Sequence, residues 1–257
     1  MRAWEFLKRC RGASHESVYF YTFHKCASTL FSRYVLKNVQ GLRHVDYAGE
    51  IFRGKKPSIV FQPKGCIYGP IRLSARQHEV YCSLVQPTSR LEFVKDKLAI
   101  FMVRDPRDIL ISAYYSFGYT HGFSPVQEIR NRQVEMRKEL QSKTIDEYVL
   151  ERAVSIRDNF ETVSRLSQAC ERSVVLRYED MIDNWELFAS DLTKYITIKP
   201  AVLRQVYEKS RPREKEVLSS HRRSGQVGNF RLKLKPETIG SLDITFAAVL
   251  ERFRYVS

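Results

Sequence analysis

Residues 18–38 read VYFYTFHKCASTLFSRYVLKN, and the stretch divides into three parts. Val18, Tyr19, Phe20, Tyr21 and Phe23 form a β-branched and aromatic run of the length expected for a strand buried on both faces. The run stops at His24. Ser28 or Thr29 can start a helix whose apolar positions, Leu30, Phe31, Tyr34, Val35 and Val39, recur at helical spacing. In such a strand–loop–helix the amides of the first helical turn point into the loop and carry partial positive charge, so phosphate is a natural occupant. Lys25 adds a full charge, and Ser28 and Thr29 add hydroxyl donors. The loop is not of the GxxxxGK[ST] type, since it has no glycine and its lysine comes first. Taken alone, the stretch is explained equally well by an ordinary polar turn.

A second unit of the same kind lies further along. KLAIFMV, residues 97–103, is an apolar run that stops at Arg104-Asp105-Pro106. A helix is expected from Pro106 or Arg107 through Ser116, with Asp105 as N-cap and Pro106 in the first helical position. SVVLRY, residues 173–178, is a further strand. LRHVDYAG, residues 42–49, predicts a second short strand. A weak one is expected at Cys66 to Tyr68, broken by Gly69 and Pro70, while Glu50 to Lys64 reads as a loop and Arg76 to Leu84 stays undecided. Residues 124–170 read as two helices meeting near Ser142 to Thr144, with Thr144 and Glu147 set as a capping box. Asn184 to Ile196, Pro200 to Lys209 and Pro236 to Arg252 are helical in pattern, and the basic segments RPREKE and SSHRRSGQVGNFRLKLK read as a long loop. Strands alternating with helices predict an α/β fold with a parallel sheet covered on both faces. Both strand–turn–helix loops then fall at carboxyl ends of strands, the edge where ligands bind. Arg104 can fork onto a phosphate there and Ser112, two turns into the helix, can reach the same group. An ion pair to Asp105 or Asp108 would account for Arg104 as well.

The 257 residues suit one large domain, and 1–257 is expected to be single. A hydrophobic fraction of 43% excludes a disordered chain. No apolar run approaches membrane-spanning length, and the charged flanks of the N-terminal apolar residues predict neither signal peptide nor anchor. A cytoplasmic protein is the expectation. The net charge of +14 suggests a polyanionic partner or a highly charged phosphate ligand. Residues 204–235 supply +7 of it. The five cysteines, Cys10, Cys26, Cys66, Cys82 and Cys170, are scattered without metal-ligand spacing and read as reduced thiols, so no metal is expected.

Three separated motifs carry a resemblance. His24-Lys25-Cys26-Ala27-Ser28-Thr29 resembles the 5′-phosphosulfate loop, PKSGTT, of the sulfotransferases that use 3′-phosphoadenosine 5′-phosphosulfate (PAPS). Arg104-Asp105-Pro106-Arg107-Asp108, with Ser112 and Tyr114-Tyr115, resembles the 3′-phosphate motif of that family. Arg222-Arg223-Ser224-Gly225-Gln226-Val227-Gly228-Asn229-Phe230 resembles its late RKGxxGDW loop, and Leu176 to Met181 its strand followed by YED. The motifs occur in the family's order across residues 18–235. The resemblance implies a three-layer, P-loop-like α/β fold and transfer of a sulfuryl group to a hydroxyl or amine. It places Lys25 at the bridging oxygen, the amides of Cys26, Ala27, Ser28 and Thr29 with the two hydroxyls at the 5′-phosphate, and Arg104 and Ser112 at the 3′-phosphate. Arg222, Arg223, Ser224 and Gly225 join the 3′ side and Tyr178 the adenine. Ala27 stands where the family has glycine, so the loop is expected to avoid positive φ there.

The general base has several candidates. Glu50 resembles a glutamate used by carbohydrate-modifying members, and Asp46, His44, His24, His78 and His121 are alternatives. The acceptor, a small molecule or a glycan, is not legible, although residues 50–95 and 117–145 are expected to shape its pocket. A homodimer stays open. A P-loop nucleotide kinase or phosphotransferase is opposed by the missing GK[ST], and a non-enzymatic polyanion-binding protein by the lack of any nucleic-acid motif.

Overall fold

The computed structural model describes residues 15–72, 90–212 and 225–255. Arg76 to Leu84, His78, Arg222, Arg223 and Ser224 lie outside the described residues. The chain forms two compact units, Met1–Val103 with Val163–Ser210, and Arg104–Thr162 with Arg211–Ser257.

The first unit is built on a five-stranded sheet of order β2-β3-β1-β4-β5, comprising β1 (Val18–Thr22), β2 (Arg43–Val45), β3 (Cys66–Arg72), β4 (Leu98–Val103) and β5 (Arg172–Arg177). Every pairing is parallel. Parallel strands need crossovers, and crossover helices cover both faces, which is why these strands read as continuous apolar runs. All five residues of β1 are buried. Its alternate side chains serve opposite layers. Phe20 stacks on Phe31 with centroids 4.8 Å apart, and Phe31 meets Phe188 edge-on. Tyr19 faces Phe61 and Phe93 instead. The expected α/β fold with a parallel sheet flanked by helices is therefore present.

After β1 the chain enters α1 (Ser28–Leu30), which continues through a π turn (Phe31–Val35) and a 3-10 turn (Leu36–Asn38). Phe31, Val35 and Leu36 form its buried side, so Leu36 rather than Tyr34 completes the stripe. The second strand is shorter than LRHVDYAG suggests, because Asp46 accepts from the Gly49 amide at 2.8 Å and caps a helix, α2 (Tyr47–Phe52). Glu50 accordingly lies in a helix, not in a loop. The third strand is longer than expected: β3 runs through Gly69 and a cis Pro70 to Arg72. Proline removes one donor, but β3 still pairs with β1 beyond it, with a shift of register between Tyr19 and Tyr21. The aperiodic stretch before β3 is pinned by tyrosine hydroxyls. Tyr47 donates to the Val60 carbonyl at 2.7 Å, and the Gln62 amide donates to the Tyr68 hydroxyl at 2.6 Å.

Helix α3 (Arg90–Lys95) precedes β4. The unit also holds α7 (Tyr178–Asp183), α8 (Trp185–Thr193) and α9 (Pro200–Ser210). Helix α7 starts directly at the end of β5, so the YED segment is helical.

The second unit contains α4 (Pro106–Tyr115) with a π turn at Ser116–Thr120, α5 (Gln127–Gln141), most of α6 (Ile145–Ala169), α10 (Phe230–Lys233) and α11 (Pro236–Arg252). The junction of α5 and α6 follows the capping box. The Thr144 amide donates to the Glu147 carboxylate at 2.8 Å and the Glu147 amide donates to Thr144 Oγ1 at 3.3 Å. Asp105 caps α4 by accepting from the Arg107 amide at 2.9 Å, with Pro106 in the first position. The segment read as a long basic loop contains the short α10.

Candidate active site

At the carboxyl edge of the first unit's sheet, β1 ends at Thr22 and the chain turns through His24, Lys25, Cys26 and Ala27 into α1. Two of these residues are left-handed, Lys25 at φ 69° and Ala27 at φ 53°. The expectation that alanine would keep residue 27 out of positive φ is thus overturned. The tight reversal between a buried strand and a helix stacked on it demands the left-handed turn, and alanine bears a strain of about 1–2 kcal/mol that glycine would not. The first helical turn closes with the Phe31 amide on the Ala27 carbonyl at 3.0 Å. Cys26 is fully buried, which accounts for a small apolar residue there. Lys25 and His24 are half-buried, Ser28 is buried and Thr29 is exposed. A cation, two hydroxyls and a helix start converge on one turn, and that donor set fits an anion of the phosphate or sulfate type.

The same edge bears two further cations. Arg72 is the last residue of β3, in register with Thr22, and Arg177 is the last residue of β5. The sequence reading missed Arg72 because it ended the strand at Gly69-Pro70; the signal available was the apolar Ile71 continuing the run. Tyr178 follows Arg177 and is buried.

The candidate bases in this unit differ in their commitments. Asp46 is occupied as the α2 cap. His44 Nε2 lies 2.7 Å from the Gly69 carbonyl, and burial holds the imidazole below the ordinary histidine range. Glu50 is half-buried in the first turn of α2, and its carboxylate makes no hydrogen bond or ion pair among the described residues.

In the second unit Asp108 and Ser112, four residues apart, share one face of α4, and Arg104, which precedes the Asp105 cap, meets that face through its contact with Asp108. Arg104 is 7% exposed. Its Nη2 donates to the Gln226 carbonyl at 3.0 Å and lies 3.4 Å from Asp108 Oδ2, so the ion pair read from sequence as an alternative is formed. Asp108 is more deeply buried still. It accepts the Gly228 amide at 2.9 Å and the Phe230 amide at 3.1 Å, and burial pushes its carboxyl up while Arg104 and the two amides oppose that shift. Arg107 forks onto Asp105 and reaches Asp243 at 2.7 Å and the Tyr255 carbonyl at 3.0 Å, with its guanidinium 4.1 Å from the Phe230 ring centre. Arg104 and the segment from Gly225 are thereby brought together, with Ser112 half-buried one turn beyond Asp108. Sequence reasoning gave Asp108 only as an alternative ion-pair partner of Arg104 and assigned it no contact with the late loop. His121, also in this unit, packs edge-on against Phe117 and its carbonyl accepts from Arg137. Among the described residues no three His, Cys, Asp or Glu side chains cluster as a metal ion would require, and no helix is long and apolar enough to cross a membrane.

No curated protein matches the chain in sequence. Among solved structures, it is similar to mouse sulfotransferase SULT7A1 complexed with PAP, at 13% identity and a TM-score of 0.56, over 91% of this chain and 84% of that one. Retinol dehydratase complexed with androsterone and the inactive cofactor PAP is similar at 13% identity and a TM-score of 0.46, over 91% of this chain and 80% of that one. The same enzyme with retinol and PAP gives 12% identity and a TM-score of 0.48, over 91% and 81%. The identities are too low to carry more than the fold. The model of the sulfotransferase domain matches residues 89–254, a span that takes in both Arg104 with its α4 partners and the strand that leads to Tyr178, and the chain belongs to that family.

Proposed function

We propose that this protein moves a sulfuryl group from PAPS to a hydroxyl or amine acceptor, and that residues 1–257 act as one sulfotransferase domain. The family assignment supports the reaction class. The observation that carries the residue assignment is the left-handed turn at Lys25 and Ala27, which delivers a cation and two hydroxyls at a helix start. PAPS supplies an activated sulfuryl group on a good leaving phosphate. Lys25 neutralises the charge that gathers on the bridging oxygen as the sulfur–oxygen bond breaks. Ser28, Thr29 and the amides of Cys26 and Ala27 hold the 5′-phosphate. Arg104, Ser112 and Gly225 hold the 3′-phosphate, joined by Arg222, Arg223 and Ser224, and Tyr178 lies against the adenine. Lysine and arginine supply the countercharge, so the proposed chemistry needs no metal. Glu50 is the proposed base that takes the acceptor proton, supported by its partial burial and by a carboxylate that makes no hydrogen bond or ion pair among the described residues.

Calorimetric titration tests this reading. Tight binding of 3′,5′-adenosine bisphosphate without magnesium is expected. Magnesium-dependent ATP binding in its place would indicate a kinase, and salt-sensitive oligonucleotide binding alone a polyanion-binding protein. For the base, Glu50→Gln should abolish transfer while leaving bisphosphate affinity unchanged; retained transfer would remove Glu50 from the mechanism. Screening labelled sulfuryl transfer across phenols, glycans, lipids and peptides identifies the acceptor.

A further inference from the structure

The motif Arg104-Asp105-Pro106-Arg107-Asp108 contains more charge than a single phosphate contact needs, and the second unit shows where the rest goes. Asp105 and Arg107 tie the start of α4 to α11 and the end of the chain through Asp243 and the Tyr255 carbonyl. Asp108 does something different. Its side chain has no solvent exposure, yet it faces three donors: the amides of Gly228 and Phe230, and Arg104. Two of the three belong to the backbone of the late glycine loop, and the third also holds that loop through the Gln226 carbonyl. Gly225 and Gly228, at φ 74° and 72°, are left-handed on either side of Gln226 and Val227, so the loop bends back on itself where Asp108 grips it.

We propose that Asp108 is the positioning residue of the 3′-phosphate subsite: it locks the late loop to Arg104, so that recognition of a 3′-phosphorylated nucleotide depends on a buried carboxylate that does not touch the nucleotide. The proposal rests on the PAPS reading given above. Physically, only an ionised carboxylate offers acceptors to donors on every side. Asparagine keeps the shape but turns one acceptor into a donor that faces an N–H. The loop then loses at least one of its two amide anchors, while the β1 turn that would hold the 5′-phosphate is untouched.

The test compares Asp108→Asn with the wild type by calorimetry, using 3′,5′-adenosine bisphosphate and 5′-AMP as paired probes. The variant should bind the bisphosphate about tenfold to a hundredfold more weakly and AMP with little change, so that the ratio of the two affinities collapses. A merely structural role would lower both together, and equal losses, or an unchanged ratio, would overturn the proposal. If the wild type itself does not prefer the bisphosphate to AMP, the PAPS reading fails first. If the wild type prefers it and Asp108→Asn keeps that preference, only the role of Asp108 fails. Should the variant not fold, hydrogen exchange on the wild type decides. The bisphosphate, and not AMP, should slow exchange at Gly228 and Phe230; protection by both probes or by neither would overturn the proposal.

Discussion

At the scale of single residues, the loop after β1 stores strain where chemistry is proposed. Ala27→Gly should leave stability unchanged or raise it, because relief of about 1–2 kcal/mol of left-handed strain exceeds or balances an unfolded-chain entropy cost of about 0.4–1 kcal/mol. Chemical denaturation measures it, and a clear loss would mean that residue 27 is not left-handed in solution. Lys25→Ala should reduce turnover by about a hundredfold to a thousandfold with the melting temperature little changed, the scale of removing one preorganised electrostatic donor; near-wild-type turnover would contradict the role given to Lys25. Arg104→Ala should weaken bisphosphate binding by about 1.5–3 kcal/mol. It should also lower the melting temperature, since Asp108 loses its countercharge in a fully buried position. Unchanged affinity would place the 3′-phosphate elsewhere. The candidate cofactor residues could be named because the motifs that carry the family resemblance are contiguous stretches of sequence. The backbone angle of Ala27 was not legible, because residue type sets only a preference and the packing of Phe31 against Phe20 overrides it.

At the scale of elements, α2 depends on a cap that leaves no room for a side chain. A Cβ at Gly49 would stand 2.2 Å from Asp46 Oδ2. Gly49→Ala should therefore break the cap and cost about 1–2 kcal/mol, and it should lower turnover as well if Glu50 is the base. Denaturation and steady-state assays read the two effects, and a stable variant would show that the cap contributes little. Element types followed the sequence wherever a local signal was strong, as at Thr144 with Glu147, at Asp105-Pro106, and at Pro236. They departed where a non-local partner decided. Beta-strand β3 survives Pro70 because β1 lies alongside to pair with it. Tyr47 to Phe52 becomes a helix, where a strand end and a loop were expected, because Asp46 caps it and Tyr47 is buried.

At the scale of the molecule, stability should carry the mark of His44. Burial lowers its pKa in the folded state and the Gly69 hydrogen bond opposes this only in part. The unfolded chain therefore binds the proton more readily, and stability should fall as pH drops below about 6.5. His44→Gln, which keeps a donor for the Gly69 carbonyl, should flatten that slope; denaturation series above and below this pH check it, and identical slopes would exclude His44 as the source. The sequence alone determined the α/β class and the parallel sheet, because both rest on periodicity, while the order of the three motifs and the residues proposed to hold a bisphosphorylated nucleotide were implied by the family resemblance that those motifs carry. Tertiary structure alone decided that Ala27 is left-handed, that β3 reaches Arg72 and that Asp108 grips the late loop. Ala27 takes its angle from the packing of the strand before it on the helix after it, and the other two features join residues far apart in the chain: Asp108 and Gly228 meet only after folding, and no local pattern records that contact.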